Sequence, residues 1–397
     1  MNVLFIDKSR YFGGAEASLR SLIEGLSKRS VSACCCFDYP MPHQDRILDE
    51  AATGKIYRAD RMKPWMRESR RRLPPRPLRA MELALSALRL RRCAAGVRPD
   101  LVHFNLFRSN ILGDVLAAKT LGAKCVFHVR SLSCQIKLPK RVLNLADAVI
   151  CTSHAVKAEV RDAGCERPLF AVYDPVELEA CGDSLTREEA RSMLDLPQED
   201  RIVASVGHLE EHKGHDDALR ALARLAHVSP RVLLLIVGRE TNPSKGVLRR
   251  LETLAAGSGV RGRVRFLGET SNVAVVYRAA DVVYSLSKVG EAFGRVPIEA
   301  AVAGAPSVVF DGGALPEITI DGYSGAVVRS GDHEMLAKVT EEILQNPSLG
   351  RCYVDNARSR ARRLFGVDAH CERVLNIYHR ILTARPEKEV AGLCESA

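Results

Sequence analysis

Residues 282–317 read VVYSLSKVGEAFGRVPIEAAVAGAPSVVFDGGALPE, and the reading of this stretch decides the fold. Val282–Leu286 is short, apolar and β-branched, which suits a strand buried on both faces. The loop after it carries Glu291 and Gly294. Pro297 stands where a first helical turn accepts proline, and Gly304 with Pro306 stops the helix. A second apolar run and Gly312-Gly313 complete a strand–helix–strand unit of a parallel sheet. The backbone N–H groups of Phe293, Gly294 and Arg295 then point out of a helix N-terminus, a ready anion site.

Glu291 and Glu299 need different partners from that anion. A phosphate repels a carboxylate, whereas the two acceptor oxygens of an ionised carboxylate suit a vicinal diol. One glutamate for a sugar ring and one for a ribose, with amides between them for a diphosphate, describe a nucleotide-sugar site. The plainer alternative is an ordinary βαβ unit whose loop glutamates are merely solvated. Pattern alone leaves both open.

The segment EAFGRVPIEAAVAGAPSVV, with the Gly-Gly pair and Pro316-Glu317 after it, resembles the donor-binding signature of the retaining glycosyltransferases of family four. The eight-residue spacing of Glu291 and Glu299 matches that signature. The resemblance implies an α/β chain of the GT-B fold, two tandem doubly wound (Rossmann-like) domains facing each other across a cleft. It implies a metal-independent hexosyltransferase without a cofactor, moving a sugar from a UDP-, GDP- or ADP-sugar to a glycan or lipid-linked acceptor. Polysaccharide, lipopolysaccharide or glycolipid assembly is the implied setting. Glu291 would orient the sugar, Glu299 the ribose, and the Phe293–Arg295 amides the diphosphate.

Other segments extend the resemblance. Gly13-Gly14 resembles the amino-terminal loop that approaches donor phosphates and acceptor, where glycine lets the backbone come close. His128, ending CVFHV, resembles the active-site histidine beside the transferred sugar, and His103 in LVHFN is a lesser candidate. Residues 204–214, ASVGHLEEHKG, resemble the segment that holds the diphosphate. Gly207 and Lys213 fit it, Lys213 as a fixed charge where the leaving diphosphate builds negative charge. His208 stands where the family has an arginine, and Arg239 is a candidate to supply the missing charge. Two other readings stay open: a hydrolysing nucleotide-sugar epimerase on the same architecture, and a non-catalytic sugar-nucleotide-binding protein. The glutamate spacing argues against the first, and His208 keeps the second.

Length and composition agree with a soluble globular chain. At 397 residues there is room for two or three domains, 46% of residues are hydrophobic, and the longest aliphatic runs are too short to span a bilayer. The opening NVLFID reads as a buried strand rather than a signal peptide, so a cytoplasmic protein is expected. The twelve cysteines include no CxxC pair and lie mostly in apolar runs, as reduced thiols do. No metal-ligand spacing and no nucleic-acid motif occur.

The net charge of +10 is uneven: residues 1–180 hold 30 Lys+Arg against 19 Asp+Glu. Thirteen basic residues face three acidic ones in Arg58–Arg98, which includes Trp65, Met66 and Leu73. Such a stretch suits docking on an anionic membrane surface, at about 1 kcal/mol per basic side chain. A solvated loop and helix face is the equal alternative.

Along the chain, strands are expected at Val3–Asp7, Val31–Phe37, Leu101–Phe104, Cys125–Val129 and Ala148–Cys151, and again at Ile202–Val206, Val232–Val237 and Val264–Leu267. Helices fall between them, including Ile111–Lys119, Asp216–His227 and one within Leu78–Ala95. The expected domains are 1–180 on the acceptor side and 181–365 on the donor side. In 366–397 a final helix packs back on the first domain before a polar tail.

Overall fold

The structure, a computed structural model, describes residues 1–7, 14–37, 56–58, 94–106, 111–134, 139–178, 185–229, 231–242 and 245–384, and residues 84, 85, 87, 88 and 90–92. Gly13, most of Arg58–Arg98 and the polar tail after residue 384 lie outside the described residues.

Alternation of apolar runs with amphipathic helices produces two all-parallel sheets. The first has seven strands: β1 (Asn2–Asp7), β2 (Ser32–Phe37), β3 (Ile56–Arg58), β4 (Leu101–Phe104), β5 (Lys124–Val129), β6 (Ala148–Cys151) and β7 (Leu169–Ala171). Their order is β3-β2-β1-β4-β5-β6-β7. The second holds β8 (Arg201–Val206), β9 (Val232–Val237), β10 (Val264–Gly268), β11 (Val282–Ser285), β12 (Ser307–Phe310) and β13 (Ala326–Val328), in the order β10-β9-β8-β11-β12-β13. Each order reverses once, between β1 and β4 and between β8 and β11. The crevice outside the carboxyl ends of strands at such a reversal is where open α/β sheets bind ligands.

Burial explains the sheets. Val232–Val237 is buried along its whole length, as a central parallel strand with helices on both faces must be. The adjacent Cys34, Cys35 and Cys36 occupy β2 as buried cysteines outside any disulfide, filling both faces of the first sheet as small hydrophobes. Burial drives the Cys125 and Cys151 thiols up to about 12, so they stay protonated.

Helix α1 (Gly14–Ser27) buries Leu19, Leu22, Ile23 and Leu26 against β1. α2 (Leu112–Thr120) and α3 (His154–Asp162) cover the same sheet, and Ser153 caps α3 by accepting from the N–H of Val156. In the second domain α4 (Arg187–Met193) starts with a Thr186/Glu189 capping box. α5 (His215–Val228), α6 (Val247–Gly257), α7 (Val273–Ala279), α8 (Arg295–Ala303), α9 (Leu315–Ile318) and α10 (His333–Gln345) follow. α11 (Pro347–Leu364) leads into α12 (Val367–Thr383).

That last helix crosses back. Its Cys371, Val374, Ile377 and Tyr378 share one core with Val3, Phe5 and Leu19. The approach is close: a Cβ on Gly25 would stand 2.3 Å from the Cys371 sulfur, so glycine is required where α1 meets α12. A separate cluster of Val176, Phe293, Ile298, Ile318, Ala361 and Phe365, with Tyr173 against it, packs the join between the domains.

Candidate active site

The carboxyl ends of the two sheets face each other across a cavity of about 460 Å³, lined from the first domain by Gly14, Ala15, Arg130 and Asp174. The opposite wall is built from three glycine-dependent turns. After β8, Gly207 donates to the Val237 carbonyl at 2.9 Å. A Cβ on Gly238 would stand 1.9 Å from the Gly207 oxygen, so the turns after β8 and β9 lie backbone on backbone and leave the floor open. Gly214, at φ +72°, ends the turn that presents Lys213, and its missing Cβ would meet the Leu286 carbonyl at 2.1 Å.

Glu291 is fixed in a similar way. It forms an isolated parallel bridge with Gly313, and its carbonyl accepts from the N–H of Ala314 at 2.8 Å. A side chain on Gly313 would strike that carbonyl at 2.3 Å. The loop can therefore take only one course, and it brings the Glu291 carboxylate to the Lys213 ammonium at 2.7 Å. Nearby, His215 pins the 207–208 turn. Burial pushes its pKa down to about 4, so the ring is neutral: Nε2–H donates to the His208 carbonyl at 3.2 Å and Nδ1 accepts from the Ser205 hydroxyl at 2.8 Å.

Gly294 is the N-cap of α8, at φ +100°. Among the described residues, the backbone N–H groups of Phe293, Gly294 and Arg295 find no protein acceptor, and all three residues line the cavity. An anion seated there would meet free amides, the positive end of the α8 dipole and Lys213 together.

Of the residues expected from sequence, Gly14, Gly207, His208, Lys213, Arg239, Glu291, Phe293, Gly294 and Arg295 all border this cavity. Arg239 sits at its rim, more than half exposed, 3.5 Å from an equally exposed Glu269. Glu299 lies one turn inside α8 rather than on the wall. It accepts from the Tyr277 hydroxyl at 3.0 Å and from Arg295 Nε at 3.1 Å.

His128 is likewise not on the wall. It is fully buried, on the face of β5 turned toward α1 and α12. Its Nδ1 is 3.3 Å from His103 Nε2, His103 Nδ1 is 2.6 Å from the Tyr378 hydroxyl, and its ring stacks on His370. Burial first, then the Arg130 charge, hold His103 and His128 well below the ordinary histidine range. The residue two further on, past the strand end, is the one that reaches the cleft. Arg130 pairs with Asp174, and neither is among the site residues expected from sequence. Among the described residues no group of three His, Cys, Asp or Glu side chains converges to hold a metal ion.

Two doubly wound domains opposed across a cleft define the GT-B architecture, and the free helix-terminal amides and lysine on that cleft suit an anionic ligand. Comparison with known proteins narrows this. Residues 12–180 match the model of Glycosyltransferase Family 4, and residues 186–360 match that of Glycosyl transferases group 1. The chain belongs to glycosyltransferase family four.

A D-inositol 3-phosphate glycosyltransferase of Streptomyces avermitilis is 29% identical over 318 residues, covering 73% of this chain and 68% of that protein. The lipopolysaccharide core biosynthesis mannosyltransferase LpcC of Rhizobium leguminosarum bv. viciae is 25% identical, covering 61% of this chain and 67% of that protein. Other curated relatives match over shorter spans: the D-inositol 3-phosphate glycosyltransferase of Mycolicibacterium smegmatis is 36% identical over 43% of this chain and 39% of its own length. Among solved structures, Anabaena HepE in complex with UDP superposes with a TM-score of 0.79 at 20% identity, covering 96% of this chain and all of that one. The same protein has been solved with UDP-glucose.

Proposed function

We propose that the chain transfers a hexose from a nucleoside diphosphate sugar to a glycan or lipid-linked acceptor, with retention of configuration and without a metal ion. The observation that carries this reading is the convergence of Lys213 and the free amides of Phe293–Arg295 on one cavity, with Glu291 beside them. A diphosphate seated on those amides would place its attached sugar near Glu291. The acceptor hydroxyl attacks the anomeric carbon from the face the diphosphate leaves, and the departing phosphate oxygen takes the proton. Lys213, His208 and the amides stabilise the charge that develops on the leaving group. Glu291 holds sugar hydroxyls, and Glu299, freed from Arg295, the ribose.

The UDP and UDP-glucose complexes of HepE support a nucleotide-sugar donor, and the names of the two relatives support a phosphorylated polyol or a lipopolysaccharide core as acceptor class. Such acceptors suit a cytoplasmic enzyme working at a membrane face. No helix among the described residues is long and apolar enough to cross a membrane. In the basic stretch Arg58–Arg98, Leu88 is 48% exposed beside exposed Arg91 and Arg92. Residues of this kind dock reversibly on anionic lipid, and binding to anionic vesicles at low but not high salt would be the sign of it.

A thermal-shift screen of UDP, GDP, ADP and their sugars tests the donor site, because a ligand that binds the native state raises its melting temperature. Glu291→Ala is expected to abolish transfer of a labelled sugar while leaving the melting temperature within a few degrees. Full residual transfer would refute the role given to Glu291. Release of free sugar or its epimer without an acceptor would refute transfer itself.

A further inference from the structure

Arg130 is a buried cation with one nitrogen unused. It follows the last residue of β5, and its side chain is only 2% exposed. Nε donates to the Asn105 carbonyl at 3.2 Å, and Nη1 donates to Asp174. Nη2 finds no acceptor among the described residues, although Arg130 and Asp174 both border the cleft. A desolvated guanidinium N–H without a partner is costly, and the cost is relieved by any acceptor that enters the cavity.

Charge selects the acceptor. Asp174 already neutralises Arg130 where the two border the cavity, so an anion reaching Nη2 would stand beside the Asp174 carboxylate with no unpaired charge to meet it. A hydroxyl suits the pair better, since it accepts from Nη2 and donates to a carboxylate at once. The loop carrying Glu291 comes up against the first domain, because Ala292 packs on its core cluster and Glu291 lines one cavity with Arg130 and Asp174. A sugar held by Glu291 therefore has the first-domain wall on its other side.

The geometry points to Arg130 as a specificity-determining residue that hydrogen-bonds a hydroxyl of the transferred sugar, with Asp174 and Asn105 positioning it, and to an uncharged hexose as that sugar. This rests on the nucleotide-sugar reading above. It assigns to Arg130 the place beside the sugar that the sequence suggested for His128.

The test is calorimetric titration with UDP, UDP-glucose, UDP-glucuronate and monodeoxy analogues of UDP-glucose, or the same series on GDP or ADP if the thermal-shift screen selects that base. Wild type is expected to bind the glucose donor more tightly than the glucuronate. It should also lose about tenfold in affinity when one particular hydroxyl is removed. In Arg130→Gln, affinity for the bare nucleotide should stay within about twofold, while the penalty for that missing hydroxyl disappears. Arg130→Lys keeps a cation for Asp174 but not the second nitrogen. It should show the same loss of discrimination, and it carries the test if the glutamine variant does not fold.

Equal weakening of nucleotide and nucleotide sugar, no change in either, or tighter binding of the glucuronate would overturn the proposal. Wild type binding none of the nucleotides would instead remove the donor site on which it rests.

Discussion

Replacing Glu317 by alanine should loosen the join between the two domains without unfolding either. Glu317 lies in α9 of the second domain, yet its carboxylate accepts from the N–H groups of His154 at 2.9 Å and Ala155 at 2.6 Å, the first residues of α3 in the first domain. It also accepts from the Tyr173 hydroxyl at 3.1 Å. Hydrogen bonds to an ionised group are worth roughly 1.5–3 kcal/mol each, and a helix-terminal charge adds about 0.3–1 kcal/mol. These terms overlap, and water will re-solvate part of what is freed, which leaves a loss of roughly 2–3 kcal/mol for Glu317→Ala. Glu317→Gln keeps one acceptor oxygen and loses the charge, so about 1 kcal/mol is expected. Scanning calorimetry should register the alanine variant a few degrees low. Small-angle scattering should give it a larger radius of gyration that saturating nucleotide reverses. A spectroscopic handle exists as well. Burial and then the Glu317 charge push the Tyr173 hydroxyl up to about 12, so its ionisation should begin at lower pH in the alanine variant. If melting, radius and tyrosine titration all match wild type, the three bonds contribute nothing across the join and the reasoning fails.

Stability should fall in mild acid. Burial, opposed by Asp174 and reinforced by Arg130, pushes His370 from 6.5 down to about 4. A group depressed on folding binds its proton in the unfolded chain first, so its contribution is complete above pH 6.5 and lost as pH drops toward 4, roughly 3 kcal/mol for His370 alone. His103 and His128 act in the same direction, and a denaturation midpoint independent of pH over that window would contradict the buried cluster. Separately, Gly214→Ala should cost roughly 2–3 kcal/mol and weaken nucleotide binding by moving Lys213, since the new Cβ meets backbone. Gly259→Ala has the same left-handed φ but open space around it, so it should cost only about 1 kcal/mol and leave binding alone; equal effects of the two would show that contact at Gly214 is immaterial.

Buried parallel strands write themselves into the sequence as apolar runs, and so the central strands of both sheets were legible to within a residue or two. Three of the four edge strands were not. Ile56–Arg58, Leu169–Ala171 and Ala326–Val328 have three residues each, too few for any pattern to stand above its surroundings. α3 and α7 were also missed. His154–Asp162 buries only Val156 and Val160, and Val273–Ala279 is rich in the β-branched residues that read as strand. The glycine turns around Lys213 and Glu291 were legible because contacts that forbid a Cβ leave the same residue type at the same offset. Arg130 was not, for a reason of parity. His128 and Arg130 lie two apart and project from the same side of β5, so the sequence alone does not say which is inside the fold and which stands past the strand end. The contact between Arg130 and Asp174, 44 residues apart, belongs to the tertiary structure.

That contact also ties the first-domain wall of the cleft to the domain join. Three consecutive residues make separate contacts: the Tyr173 carbonyl accepts from His370 on α12 at 2.8 Å, Asp174 holds Arg130, and the Pro175 carbonyl accepts from Arg295 at 2.9 Å. Arg295 in turn holds Glu299, and the Tyr173 hydroxyl reaches Glu317. A rotation of one domain on the other must pull on this strand of chain. It cannot do so without shifting either the Arg130 guanidinium or the first turn of α8. Arg130 and the first turn of α8 are therefore not positioned independently of the domain join, because residues 173–175 support all three.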